Sequence, residues 1–140
     1  MTRDEVLALL ERRRDAMARK DMTAIGALCA EDARLDSPLA GSATGREAII
    51  RANGAFFSAF PGATVTEEAP IIDGDRVAIV AEVAGTHVGE VLGVPPSGRA
   101  FRFPVAFVLV VRDGHIVHER RFYDFTGLLV QIGVLRAKPV

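Results

Sequence analysis

The second half of the chain is dominated by long β-type segments that are separated by tight turns. The turn sequences are Asp-Gly-Asp at 73–75, Pro-Pro-Ser-Gly at 95–98 and Asp-Gly at 113–114, and these residue types favour turn conformations. The runs between them predict consecutive strands, which is typical of an antiparallel sheet. The predicted strands cover residues 64–72, 76–91, 100–111 and 116–125.

The first sixty residues instead carry helical patterns. Thr2 and Glu5 have the spacing of a capping box and predict a helix over 2–20. Its apolar stripe consists of Val6, Leu7, Leu9, Leu10 and Met17, and the arginines at 12–14 are expected to form a solvated face.

Two more helices and a short strand are predicted in the same part of the chain. Asp21 is expected to cap a second short helix, and a third helix is expected over 46–60, before Pro61-Gly62. A short strand at 33–38 leads into a Gly-rich loop at 41–45. Helices followed by consecutive strands predict one α+β domain over residues 1–140, with a curved sheet wrapped around the helices.

Composition excludes several classes of function. Seventeen Lys and Arg against 18 Asp and Glu give a net charge of -1, so we expect neither a nucleic-acid partner nor a polybasic membrane patch. The apolar runs are too short to predict a membrane span. The single cysteine, Cys29, fits a reducing cytosol and is expected to be buried and inert. One Cys and three His without metal-ligand spacing predict no metal and no cofactor.

The strand at 100–111 is apolar on both faces. Phe101 to Leu109 supply one face at odd positions, and Pro104, Ala106, Val108 and Val110 supply the other. An antiparallel sheet with one solvated face alternates apolar with polar residues. We therefore expect cover on both sides, by helices on one face and by a second subunit on the outer face, which predicts a homodimer.

Ionisable residues are concentrated on the last strand. Glu119, Arg121 and Tyr123 share one face of it, whereas His118, Arg120 and Asp124 share the other. On the strand at 76–91, His87 has the same parity as the apolar positions that are expected to face the core.

The chain resembles a known family in its element order and in three segments. These are GTHVGEVLGVPPSGR from residue 85, DGHIV from 113 and RRFYDFTGLLVQIG from 120. The helices, the Ser-Pro strand end and the long sheet resemble the cone-shaped nuclear transport factor 2-like fold, and these segments resemble its SnoaL-like polyketide cyclases. The resemblance covers essentially the whole chain.

The resemblance implies a pocket inside the cone and directs the face with Arg121 inward. In the cyclases resembled, an acidic residue three positions before the Asn or Asp of the closing motif is the general acid/base. That position is Arg121 here, and a guanidinium stays protonated. Arg121 is therefore expected to stabilise an anionic or enolate oxygen electrostatically.

The predicted catalytic residues are His87, Arg121 and Tyr123, with His87 in proton transfer near the open end of the cone. For His87, a structural hydrogen bond to a backbone carbonyl in a strand bend is an equally supported alternative. Glu119 is expected either to orient the ligand or to neutralise Arg121. The residues expected to contact a ligand are Glu119, Asp36, Phe57, Val83, Ala106 and Val108.

Two functions stay open at this point. One is an enzyme without metal or cofactor, acting on a hydrophobic carbonyl compound or ester by cyclisation, isomerisation, dehydration or hydrolysis. The other is a non-catalytic ligand-binding or dimerisation module, which the Arg at the acid's position favours. Asp36 can equally be a solvated turn carboxylate, Asp124 is expected to cap the following turn, and His115 and His118 are expected at the surface.

Overall fold

The computed structural model describes residues 1–136, and the last four positions of the predicted domain lie outside these described residues. Helices dominate the first half and strands the second. In chain order the elements are α1 (Arg3–Arg19), α2 (Met22–Ala27), β1 (Cys29–Ser37), β2 (Gly41–Thr44), α3 (Arg46–Ala59), β3 (Thr64–Glu67), β4 (Ile71–Asp73), β5 (Arg76–Thr86), β6 (Ala100–Arg112), β7 (His115–Tyr123) and α4 (Phe125–Gln131).

All seven described strands belong to one mixed sheet. Its order is β2-β1-β7-β6-β5-β3, and β4 also pairs with β5. The β1 and β7 strands are parallel, and every other pairing is antiparallel. The predicted α+β class, with a curved sheet around the N-terminal helices, is confirmed.

The first helix begins as predicted but buries a different set of side chains. The Thr2 hydroxyl accepts from the Glu5 amide at 3.2 Å, and the Thr2 amide donates to the Glu5 carboxylate at 3.1 Å. Leu7 is exposed, whereas Arg13 is only 2% exposed. The prediction that Arg13 is solvated was wrong, because it follows Val6 and Leu9 at helical spacing on the buried side of α1.

Three predicted boundaries differ from the structure. The segment 64–72 is split into β3 and β4 by a break that contains Pro70, which has no N–H for a sheet hydrogen bond. The predicted loop at 41–45 contains β2, paired with β1. The strand predicted to reach residue 91 ends at Thr86, and residues 87–99 form a loop.

That loop is held against α3 by a close backbone approach. The Gly89 amide donates to the Ala59 carbonyl at 2.9 Å. A Cβ on Gly89 would lie 2.1 Å from the Ser58 carbonyl oxygen, so the approach requires glycine. The loop is therefore packed directly against the C-terminal end of α3.

The inner face of the sheet forms the core with α1 and α3. Burial alternates along β6: Phe101, Phe103, Val105 and Phe107 are buried, whereas the even positions are more exposed. The helices thus cover only the inner face of the sheet. The apolar side chains on the outer face of β6 are not covered by them. In the described part of the chain, no helix has both the length and the apolar character to cross a membrane.

Candidate functional site

An inner cavity lies between the helices and the sheet. Its volume is about 40 Å³, which admits one small functional group rather than a whole multi-ring molecule. Phe57 from α3, Val83 from β5 and Phe103 and Phe107 from β6 are among its apolar lining residues. Phe57 and Val83 thus lie where the sequence analysis expected them.

The polar lining of this cavity, within residues 1–136, consists of Asn53, Arg121 and Tyr123. An apolar pocket with a few placed polar groups is the usual form of a small-molecule site, because those groups fix the ligand's orientation. The structure therefore brings together two of the three predicted catalytic residues, Arg121 and Tyr123.

Arg121 is held from two sides. Its Nε donates to the Glu119 carboxylate at 2.6 Å, and its Nη2 donates to the Asn53 amide oxygen at 2.7 Å. These bonds use two of the five N–H groups of a guanidinium. The remaining N–H groups have no hydrogen-bond partner in the described part of the chain, so an oriented cation with spare donors lines the cavity.

Glu119 is the centre of a buried ion network. It also accepts from Nε and Nη2 of Arg13 at 3.2 and 3.1 Å, and Arg13 donates to Glu67 at 3.1 Å. Burial alone would raise the pKa of Glu119, but the charges of Arg121 and Arg13 and their hydrogen bonds lower it to about 2. Glu119 is therefore an anion at neutral pH and orients Arg121 instead of exchanging protons.

Tyr123 lies next to Arg121 along the inner face of β7. Its ring stacks on Phe103, with 4.9 Å between centroids. Burial raises its pKa, against smaller opposing effects of a backbone hydrogen bond with Leu39 and of the Arg121 charge. Its hydroxyl is therefore protonated at neutral pH and can donate a hydrogen bond to a ligand oxygen.

The structure separates His87 from this cavity. The His87 side chain is 0% exposed and is not part of the cavity lining. Its Nδ1 accepts from the Ser97 amide at 3.1 Å and lies 2.9 Å from the Ser97 hydroxyl. The ring contacts Phe60, which contacts Phe101, so His87 anchors the loop 87–99 instead of facing the open end of the cone.

One atom of His87 is unusual. Because Nδ1 accepts a backbone N–H, the neutral ring carries its proton on Nε2. That Nε2 is buried without a hydrogen-bond partner among the described residues. The structure thus favours the alternative in which His87 has a structural role, although its bond is to the amide and hydroxyl of Ser97.

Three residues expected to contact the ligand lie on the outer face of the sheet. Ala106 and Val108 pair with Phe122 and Arg120 of β7 and point away from the cavity, so placing them in its wall was wrong. The reason is that a strand with two apolar faces does not reveal which face meets the helices. Asp36 lies in an outer cleft and accepts from His118 Nε2 at 2.7 Å.

The two predicted helix caps and the predicted burial of Cys29 are confirmed. Asp124 caps α4 by accepting from the Gly127 amide at 2.8 Å, and Asp21 caps α2 in the same way. Cys29 is buried, and its burial raises the pKa of the thiol to about 11. Within residues 1–136, no cluster of three or more His, Cys, Asp or Glu side chains is arranged to bind a metal ion.

Three site residues escaped the sequence analysis: Arg13, Asn53 and Glu67. Arg13 had a detectable signal, because it continues the spacing of Val6, Leu9 and Leu10. Asn53 had a weaker one, since it lies one helical turn from Ile49 and Phe57 on the buried side of α3. For Glu67 we find no local signal.

Comparison with known proteins gives a consistent result. The model of the SnoaL-like polyketide cyclase family matches residues 8–132. The aklanonic acid methyl ester cyclase AcmA of Streptomyces galilaeus is 41% identical over 49 residues, which are 35% of this chain and 34% of that protein. The nogalonic acid methyl ester cyclase of Streptomyces nogalater is 34% identical over 77 residues, 51% of this chain and 58% of that one. Both matches thus span only part of each cyclase.

Solved structures extend the similarity to almost the whole chain. A protein from Jannaschia sp. CCS1, described as a proposed SnoaL-like polyketide cyclase, superposes with a TM-score of 0.86 at 25% identity, over 97% of this chain and 94% of that chain. A Catenulispora acidiphila protein with the ketosteroid isomerase-like fold superposes with a TM-score of 0.75 at 25% identity, over 94% and 97%. The cone architecture expected from the resemblance is therefore confirmed.

Proposed function

The chain belongs to the SnoaL-like polyketide cyclase family, and on this basis we propose that it closes a ring in a hydrophobic carbonyl compound or ester. The observation that carries this proposal is the oriented guanidinium of Arg121 in an apolar cavity. A fixed cation in a low-dielectric site stabilises an enolate or alkoxide oxygen far better than water does.

The proposed reaction is an aldol-type isomerisation. A methylene between two carbonyls loses its proton to water, and Arg121 N–H groups hold the resulting enolate oxygen. The enolate carbon attacks a second carbonyl carbon of the same molecule, which forms the C–C bond and an alkoxide. The Tyr123 hydroxyl protonates that alkoxide and recovers its proton from water, so the product has the mass of the substrate.

This scheme assigns no proton transfer to His87 or Glu119. His87 is anchored to the loop at Ser97, and the pKa of about 2 keeps Glu119 anionic. Glu119 acts as a positioning residue, because it contacts Arg121 and does not line the cavity. Asn53 holds Arg121 in the same way and also lines the cavity. The predicted proton-transfer role of His87 is therefore replaced by solvent and Tyr123.

The methyl esters of aklanonic and nogalonic acid, which the names of the two relatives give as their substrates, are the first probes. We expect conversion of at least one to an isomer of equal mass, followed by chromatography and NMR. Arg121→Met should lower kcat by roughly 100-fold or more, the usual effect of removing one oxyanion donor. Arg120→Met, one residue away on the outer face, is the matched control and should leave kcat unchanged.

A non-catalytic binding module is the second candidate. It is favoured by the absence of any carboxylate or imidazole from the described lining of the cavity. Tight binding of either ester without product would support it and would end the cyclase proposal. Full turnover by Arg121→Met would instead remove Arg121 from the proposed mechanism. Binding is measured by calorimetry in the same samples.

We also propose a homodimer through the outer face of the sheet. Val80, Ala106 and Phe122 are aligned across β5, β6 and β7, and Val80 and Phe122 are 41% and 53% exposed. A second copy related by a two-fold axis would cover this apolar row with the same row. Sedimentation should give a dimer at micromolar concentration and a monomer for Phe122→Glu, and a monomeric wild type would refute the interface.

A further inference from the structure

A recess lies directly outside the inner cavity, between α1 and β3. The two spaces share Met17 and Val65 in their linings, so they are adjacent. The recess has a volume of about 210 Å³, against about 40 Å³ for the cavity. A ligand that has its carbonyl end at Arg121 and extends past Met17 and Val65 would place its remaining structure in this recess.

The charges around the recess are predominantly positive. Arg14 and Lys20 line it, and neither forms an ion pair in the described part of the chain. The acid in the lining is Glu67, whose carboxylate is already bound by Arg13 at 3.1 Å. An anionic group in the recess would consequently meet uncompensated cations.

Of the two cations of the recess that are unpaired among the described residues, Lys20 is the one that contacts an aromatic residue of the cavity wall. Its ammonium lies 5.6 Å from the centroid of the Phe57 ring, within cation–π range. Phe57 lines the cavity whereas Lys20 lines the recess, so this contact links the walls of the two spaces. The aromatic face restrains the lysine without neutralising it.

The backbone at Lys20 offers independent support for a role of its side chain. Lys20 is the C-cap of α1 and has φ of 52°, a conformation for which glycine or asparagine is usual. Its own amide donates to the carbonyls of Ala16 and Met17. Because the main-chain hydrogen bonds end the helix, the ammonium is not needed for that purpose.

We infer that Lys20 binds a carboxylate of the ligand, at the opposite end from the carbonyl that contacts Arg121. The ligand class is an aromatic or polyketide-type keto acid, with its reacting carbonyl in the cavity and its anionic end in the recess. This inference rests on the proposed function, since it takes Arg121 as the partner of the carbonyl oxygen.

The test uses 4-acetylbenzoate and its methyl ester as probes, titrated by calorimetry. The acid should bind more tightly than the ester by up to roughly fivefold, the range for partly exposed ion pairs, and added salt should reduce this preference. Lys20→Gly should abolish the preference and leave the ester's affinity unchanged. Because glycine suits the backbone at this position, its Tm should equal or exceed that of the wild type.

Two further variants separate this inference from the function on which it rests. Arg12→Gln removes an exposed cation elsewhere on α1 and should keep the preference for the acid. Arg121→Met should weaken both probes equally. Equal affinity of the wild type for acid and ester, or a preference that survives Lys20→Gly, overturns the carboxylate site while ester binding that depends on Arg121 still supports the function. Failure of both probes to bind overturns the carboxylate site, whereas the proposed function is still decided by conversion of the two polyketide methyl esters.

Discussion

Replacing Glu119 by glutamine tests whether the buried ion network stabilises the fold that holds the cavity. The pKa of Glu119 lies at about 2 instead of its ordinary 4.5. Because each pKa unit is worth about 1.4 kcal/mol, the folded protein favours this carboxylate by about 3 kcal/mol. Removing one partner of a buried pair costs about 3–5 kcal/mol, so the two values agree. We expect Glu119→Gln to lower the free energy of unfolding by about 3 kcal/mol at pH 7.

The lowered pKa of Glu119 also determines how the stability difference between the two proteins changes with pH. The folded-state pKa is below the unfolded one, so the contribution of Glu119 is fully present above about pH 4.5 and is lost as the pH falls toward 2. Glutamine does not titrate in this range. The difference between the two proteins should therefore shrink from about 3 kcal/mol at pH 7 toward zero near pH 2.

Urea unfolding followed by far-ultraviolet circular dichroism is the appropriate assay, since the chain has no Trp and one Tyr. Glu82→Gln is the matched control, because Glu82 forms an exposed ion pair with Arg102, and such pairs contribute about 0–1 kcal/mol. A stability difference for Glu119→Gln that stays constant from pH 7 to pH 3, or that equals the control's, would refute the reasoning.

Three further variants or reactions test local features. Cys29, with its pKa raised to about 11 by burial, should react with Ellman's reagent at pH 8 only as fast as the chain unfolds; rapid native labelling would contradict its burial. Asp124→Ala should lower the free energy of unfolding by about 1 kcal/mol through loss of the α4 cap, whereas Asp124→Asn should retain most of it. Gly89→Ala should cost about 2–3 kcal/mol, because its Cβ meets the Ser58 carbonyl; Gly54→Ala, with open space around its Cβ, should be neutral or stabilising.

The fold was predictable because its signals are local. The capping residues Thr2, Asp21 and Asp124 all act within three positions of themselves, so their roles can be read from adjacent sequence. The tight turns at 73–75 and 113–114 likewise fix where β5 and β7 begin. Alternation then predicted correctly which positions of β5 are buried.

The site was only partly predictable because its contacts are distant in sequence. Arg13 meets Glu119 from the other end of the chain, and only that partner explains why a guanidinium lies on the buried side of α1. The alternation along β5 correctly placed the His87 side chain on the inner face of the sheet, but alternation does not indicate whether an inward side chain reaches a cavity. The loop that returns through Ser97 buries the His87 ring and separates it from the cavity.

The parallel pairing of β1 with β7 has a consequence for how the protein is made. Leu35 and Glu119 are partners in that pairing, so one long edge of β1 stays without its neighbour until β7 has been synthesised. Contacts of such large sequence separation slow folding, and unpaired strand edges invite association with other chains. During synthesis, this edge of β1 is therefore open to association with other chains until β7 follows.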